Sequence, residues 1–258
     1  MGKINEMQSR DLQIALGGTS RKADLTRAGL TPMTKTTLQD RIYDELRYAL
    51  MRGQFRPGEV LTIRTLASAL GTSIVPVRDA LQRLMAERAL EVLPNRSARV
   101  PLTDRAEFDE LTNIRIALEG LAVEAAPAHL TKEDLSLIEH LNAQMSEAIL
   151  NGDAAGILES NMAFHFTIYR AAVGPLLFGI IESLWVRIGP LLVVPLRHLA
   201  SKDMVFGSGL DRHREVIAAL RVGNGKSARD GIESDIQEAA DWYRSHYDFV
   251  SEAPPKEF

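Results

Sequence analysis

The chain contains no cysteine, which excludes disulfides and thiolate-held metal centres and makes a reducing compartment the expected setting. It also lacks a long unbroken apolar run. Charges recur from the start (Lys3, Glu6, Arg10, Asp11), so no secretory signal is expected. The most apolar stretch, residues 176–199, is interrupted by Glu182, Arg187, Pro190, Pro195 and Arg197. That argues against a membrane span and for a cytoplasmic protein. No Ser, Lys or His arrangement spells a nucleophile with its base, so no enzyme is expected from the residues alone.

What is there divides unevenly. The net charge of −4 over 258 residues looks unsuited to a phosphate-rich partner. Residues 1–34 hold 5 Lys/Arg and 3 Asp/Glu (+2), residues 35–102 hold 11 and 7 (+4), and residues 103–258 hold 14 and 24 (−10). A basic module joined to an acidic one with another task fits this asymmetry. The length suits one large domain or two small ones.

Residues 1–34 have no sustained period and end in Thr31-Pro32-Met33-Thr34, and they read as a flexible leader. Leu38, Ile42, Leu46, Ala49 and Leu50 then mark an amphipathic helix entered at Thr36 or Thr37 and closed by Gly53. Pro57-Gly58 turns the chain into a short strand. Ile63, Leu66, Ala67 and Leu70 form a brief helical run that Gly71 stops, and Val77, Leu81 and Leu84 bury one face of the next helix, leaving Arg78, Gln82 and Arg83 outside. Two helices joined by a short glycine-containing turn form a helix-turn-helix, whose second helix can enter the DNA major groove. Residues 90–100 read as two short strands around a Pro94-Asn95-Arg96-Ser97 tip, a wing.

Pro57-Gly58-Glu59, Leu66-Ala67, Gly71-Thr72-Ser73, Pro76-Val77-Arg78-Asp79-Ala80-Leu81, Leu84 and Pro94-Asn95-Arg96 together resemble the GntR family of bacterial winged-helix regulators. The resemblance covers most of residues 37–101 and implies DNA contacts from Arg64, Ser73, Val75, Pro76, Arg78, Asn95 and Arg96. Arg78 can meet a guanine edge or a phosphate, and Ser73 can donate to phosphate beside the helix N-terminus. The alternative for Arg64 is a surface charge, and an exposed turn also uses Asn95 for its conformation. This sequence has Ile74 where the family usually has Arg after the Thr/Ser that opens the helix.

From Thr103 onward strand signals vanish. Apolar periods centred on Phe108–Val123, Leu135–Leu150, Ile157–Tyr169, Leu177–Ile188, Val216–Leu220 and Ile232–Tyr247 predict an all-helical bundle of about six or seven helices. Thr131 and Asp134 form a capping pair, and Gly189-Pro190 is expected to kink or break the fourth helix. Met162, Phe164, Phe166 and Trp185 read as core. Arg115-Ile116-Ala117-Leu118-Glu119, Ala163-Phe164-His165, Pro175-Leu176 and residues 213–220, from His213 through Leu220, resemble the FCD ligand-binding domain of the FadR subfamily.

That resemblance implies a pocket for a small carboxylate, a divalent metal (Zn or Ni) and a two-fold homodimer. Asn161 and His165 lie four apart on one helical face and, with His213, make up the expected metal set. The family commonly has Asp at the Asn161 position, and its further His has no clean counterpart here, Leu191 falling near that place and His198 lying later. Arg115 either pairs with Glu119 one turn on or faces the cavity and takes an effector carboxylate. The sequence therefore predicts a mainly α protein: a leader over residues 1–34, a winged helix-turn-helix over 35–102, an FCD-type effector-binding and dimerisation bundle over 103–250 and a tail over 251–258. The expected function is a repressor whose affinity for double-stranded operator DNA responds to an effector bound through Arg115, Asn161, His165 and His213. A metal-dependent enzyme with an accessory DNA-binding domain, and a bundle serving only as scaffold, are the alternatives.

Overall fold

Three-and-four spacing of Ile42, Leu46, Ala49 and Leu50 turns one face of helix α1 (Leu38–Met51) into the core, where Tyr43 and Met51 join it. The computed structural model describes residues 37–94, 97–198 and 205–251. The leader expected over residues 1–34, the wing-tip residues Asn95 and Arg96, and all but Ser251 of the expected tail lie outside the described residues. From Leu38 onward the described residues form one compact unit.

Strand β1 (Val60–Leu61) leads into α2 (Ile63–Ala69), whose N-cap Thr62 accepts from the Thr65 N–H through its side chain at 3.2 Å. Gly71, at φ +61°, turns the chain out of α2 and into α3 (Ile74–Ala86), which buries Val77, Ala80, Leu81 and Leu84. β2 (Glu91–Val92) and β3 (Ala98–Arg99) follow, giving an antiparallel sheet in the order β1-β3-β2, with Leu61 and Val92 both opposite Ala98. The winged helix-turn-helix is complete in its described residues.

Six α-helices follow among the described residues: α4 (Arg105–Ala125), α5 (Lys132–Asn151), α6 (Ala154–Ala172), α7 (Pro175–Leu192), α8 (Val205–Arg221) and α9 (Gly225–His246). The Thr131–Asp134 capping box is present in both directions, and Gly152 closes α5 at φ +67°. The buried stripes differ from the expected ones. On α4 the inward positions are Phe108, Leu111, Thr112, Arg115, Glu119, Ala122 and Val123, whereas Ile114 and Leu121 face out; on α5 Asn142 is buried and Leu150 is exposed. A charged pair and an amide occupy inward positions that hydropathy alone would have given to leucines.

Gly189-Pro190 does not break α7. Pro190 falls in the last turn, and the helix runs on to Leu192. The glycine answers to packing instead: a Cβ at Gly189 would lie 2.2 Å from the Leu50 carbonyl oxygen and 2.7 Å from the Met51 Cα of α1. Across the same joint, Gly53 sits at φ +62° where a Cβ would come 2.9 Å from the Gly189 carbonyl oxygen. Arg47 pairs with Glu182 at 3.2 Å and Arg52 with Glu159 at 3.3 Å, so α1 is seated on α7 and α6 by backbone contact flanked with ion pairs. By length and composition α7 could cross a membrane, at mean hydropathy 1.4. Its C-terminal half is enclosed in the bundle, with Ile181, Leu184, Trp185, Val186 and Ile188 buried.

Arg88, directly after α3, is the one non-glycine residue at positive φ (58°) among the described residues. A side chain in that region costs roughly 1–2 kcal/mol, and the greater unfolded freedom of glycine takes back about 0.5–1 kcal/mol. Arg88→Gly is expected to stabilise the protein by about 0.5–1 kcal/mol, seen as a higher urea midpoint at unchanged m value; a lower midpoint contradicts this account of the turn.

Candidate functional site

The first turn of α3 is open to solvent. Ile74 and Val75 are 57% and 50% exposed, an unusual place for β-branched apolar side chains unless they meet something such as a thymine methyl. Ser73, the N-cap, makes no capping bond with its side chain, and Pro76 is half-buried behind it. Arg78 is exposed and, among the described residues, bonded only to its neighbour Asp79, at 3.3 and 3.2 Å, a weak surface pair that can be exchanged for another acceptor. Arg64 on α2 is exposed and forms no ion pair among the described residues. Ile63, Arg78, Leu81, Gln82, Met85, Val92 and Ala98 line a hollow between α3 and the wing. The structure thus brings Ser73, Val75, Pro76 and Arg78 together on one helix start, with Arg64 on the preceding helix.

The centre of the bundle is organised by Glu119, which is fully buried. Its Oε1 accepts from Arg115 Nε at 2.7 Å; its Oε2 accepts from Tyr169 Oη–H at 2.6 Å, from Trp185 Nε1–H at 3.1 Å and from Arg115 at 3.4 Å. Four donors from α4, α6 and α7 meet one carboxylate, which is what burying that charge requires. Burial works to lower the Arg115 pKa, but the charge and hydrogen bonds of Glu119 outweigh it and hold the guanidinium above its ordinary value. Burial, then Glu119, pushes the Tyr169 hydroxyl well above its usual range, so it stays a donor. Arg115 pairs with Glu119 and also lines a cavity.

That cavity is walled by Arg115, Asn161, His165, Trp185, Leu192 and Asp235, with Tyr243 and others behind, and encloses about 50 Å³, room for an ion or a very small acid rather than a large ligand. His165 Nδ1 lies 3.1 Å from the Tyr169 hydroxyl. Because that hydroxyl donates to Glu119, its oxygen can only accept from His165, so the proton is on Nδ1 and the Nε2 lone pair faces Asp235 Oδ2, 3.6 Å away. His213 is held in the same sense: its Nδ1 is 3.2 Å from Asn142 Oδ1, an acceptor only, and its ring stacks on Phe164 with centroids 3.8 Å apart. Its Nε2 is buried with no hydrogen-bond partner among the described residues. His213 stands in the wall behind the cavity lining, yet one donor atom each from His165, His213 and Asp235 lie within 4.8 Å of one another.

Burial drives the His165 pKa well below its usual value, aided by His213 and Arg115, and lowers that of His213 to about 3; both rings are neutral at neutral pH. Burial also pushes the Asp235 carboxyl up to about 7, against the pull of Arg115. Neutral imidazoles with fixed tautomers, an orphaned ring nitrogen and a carboxylate are the donor set that a divalent cation takes, and the residues fit such an ion.

Residues 38–100 match the family described as "Bacterial regulatory proteins, gntR family", and residues 110–238 match the FCD domain. The chain is 37% identical over 210 residues to the HTH-type transcriptional regulator McbR of Escherichia coli (strain K12), covering 81% of this chain and 94% of that protein. The chain belongs to the GntR family. The solved structure of E. coli McbR/YncC superposes with a TM-score of 0.75 at 30% identity, over 83% of this chain and all of that one. The gluconate operon transcriptional repressor of Bacillus subtilis (strain 168) is 26% identical over 73% of this chain and 78% of its own length. As a GntR-family member with an FCD domain, the protein is a transcription regulator and not the metal-dependent enzyme considered from its histidines.

Sequence reasoning missed four residues of this FCD site. Asn142 interrupts the buried stripe of Ile138 and Met145, Tyr169 lies one turn from His165, and Trp185 has an N–H that needs an acceptor once buried; each left a readable trace. Asp235 left little, since an acidic residue on a long charged helix passes for a solvated face. The hub is open to a direct test. Glu119→Gln leaves Arg115 buried without its counter-charge and is expected to destabilise the protein by roughly 3–5 kcal/mol in urea unfolding; a loss below about 1 kcal/mol would show that the pair is not what the bundle centre rests on.

Proposed function

We propose that this regulator binds a pseudo-palindromic double-stranded operator as a homodimer, and that a small carboxylate effector in the FCD cavity changes its operator affinity. Residues 35–102 serve as the DNA-binding domain and residues 103–250 as the effector-binding and dimerisation domain, in the cytoplasm. The observation that carries this reading is the double role of α7: Trp185 and Leu192 line the cavity, and Gly189, about one turn from each, is in backbone contact with α1 of the winged domain. A ligand that shifts the last turns of α7 therefore shifts the seat of the DNA-reading domain, provided it prefers one arrangement over the other. The repressor name of the Bacillus subtilis relative favours repression as the direction.

Ser73, Val75, Pro76 and Arg78 contact DNA from α3, Arg64 from α2, and Asn95 and Arg96 from the wing tip. With Ile74 exposed at the head of α3, hydrogen-bonded base reading leans on Arg78. Outward apolar residues on two neighbouring bundle helices, Ile114 and Leu121 of α4 and Leu176 and Ile180 of α7, support a face that a second copy covers. In the cavity Arg115, Asn161 and His165 receive the effector, with His213 behind the lining and reaching it through a divalent ion, Zn or Ni, held on the two histidines. When bound, that ion supplies the positive charge that Arg115, already neutralised by Glu119, does not.

Selection from a random pool of duplexes tests the reading as a whole. It is expected to return an inverted repeat, and Arg78→Ala is expected to weaken binding to that repeat by about ten-fold or more while changing affinity for random DNA far less. An asymmetric single site would sink the dimeric reading, and equal losses on both DNAs would reduce Arg78 to a phosphate contact.

A further inference from the structure

We propose that Ile74 and Val75, the first two residues of α3, read thymine C5-methyl groups in each operator half-site, beside the guanine read by Arg78, a step that depends on operator binding through α3 as proposed above. Ile74 and Val75 are the only consecutive large apolar residues among the described residues that are both exposed. Single apolar side chains scattered over a surface need no explanation, but an adjacent pair at the head of the helix that presents Arg78 forms a patch. Packing does not account for it. The inward face of α3 is made by Val77, Ala80, Leu81 and Leu84, and polar residues at positions 74 and 75 would leave that face unchanged.

Ile74 and Val75 lie four and three residues before Arg78, which puts all three on one side of the helix. The patch therefore offers a guanidinium beside two short apolar side chains. Among the base edges of the major groove the thymine methyl is the apolar feature; purine N7, guanine O6, thymine O4 and the amino groups of adenine and cytosine all call for hydrogen bonds that Ile74 and Val75 cannot make. Both side chains are β-branched and stiff at χ1, so little rotamer freedom is lost when they are covered. Four residues of helix rise about 6 Å and successive base pairs about 3.4 Å, which puts the thymine within about two base steps of the guanine that meets Arg78. Pro76 stiffens the same turn. It fixes its own backbone angle and lacks the N–H that Ser73 would otherwise cap, as Thr62, Asp104 and Thr131 each cap the N–H three residues on.

The test uses the full-length protein and the inverted repeat returned by selection, with each thymine of a half-site replaced singly by deoxyuridine, which lacks only the methyl group. The wild type is expected to bind about four-fold more weakly for each contacted methyl removed, at positions within about two base steps of the guanine that Arg78→Ala ceases to distinguish. Ile74→Ala and Val75→Ala change exposed side chains, and circular dichroism confirms their fold; each is expected to bind the thymine and uracil duplexes equally at the position it reads. A wild type indifferent to every uracil substitution, or a loss that persists in full in both alanine variants, would overturn the methyl reading. In either case a repeat that Arg78→Ala no longer distinguishes from random DNA leaves operator binding through α3 standing. A pool that yields no preferred sequence overturns both.

Discussion

A carboxylate buried in an apolar bundle has to be met by donors, and most of the site follows from how Glu119 is met. Arg115, one turn earlier on α4, supplies the counter-charge; Tyr169 and Trp185 supply the remaining donors from α6 and α7. The bond from Tyr169 then dictates the tautomer of His165, and with it the direction of the ring nitrogen left for the cavity. One buried charge thereby ties three helices and orients a histidine it does not touch. A hydrophobic residue at position 119 would pack as well, but it would release Tyr169, Trp185 and Arg115 at once.

The second constraint is steric. Gly189 and Gly53 let two backbones meet where any side chain would collide, so the winged domain sits against α7 with little slack. Packed contacts of this kind switch between discrete arrangements more readily than they deform by degrees. Because the same turns of α7 carry Trp185 and Leu192 into the cavity, occupancy and domain seating share one helix. Under the proposed function, effector control acts through that helix.

Much of the fold was legible because local rules agreed with the tertiary outcome. Gly71 ends α2 in a left-handed turn, Thr131 and Asp134 cap α5, and Val77, Leu81 and Leu84 bury one face of α3. The reading was weaker where polar residues are buried. Apolarity alone would turn Ile114, Leu121 and Leu150 inward, while inward places went to Thr112, Arg115, Glu119 and Asn142, and the partners that settle Glu119 and Asn142 come from distant parts of the chain. Trp185 was read as core and is core, yet it also closes the cavity. His165 and His213 could be found by spacing and resemblance, but Asp235 comes within reach only when α9 folds back along α4 and α8. For the same reason Gly189-Pro190 looked like a helix breaker: nothing local to those residues reveals that α1 lies against them.

The central claim is that α7 couples the cavity to the DNA-reading domain through Gly189. Operator affinity measured for chelator-stripped protein and for protein loaded with zinc and acetate, in the wild type and in Gly189→Ala, tests it most directly. The account predicts that the wild type changes its affinity between the two conditions, while Gly189→Ala still binds zinc equally well but holds DNA with the same affinity in both. A Gly189→Ala protein that keeps the full wild-type response would contradict it.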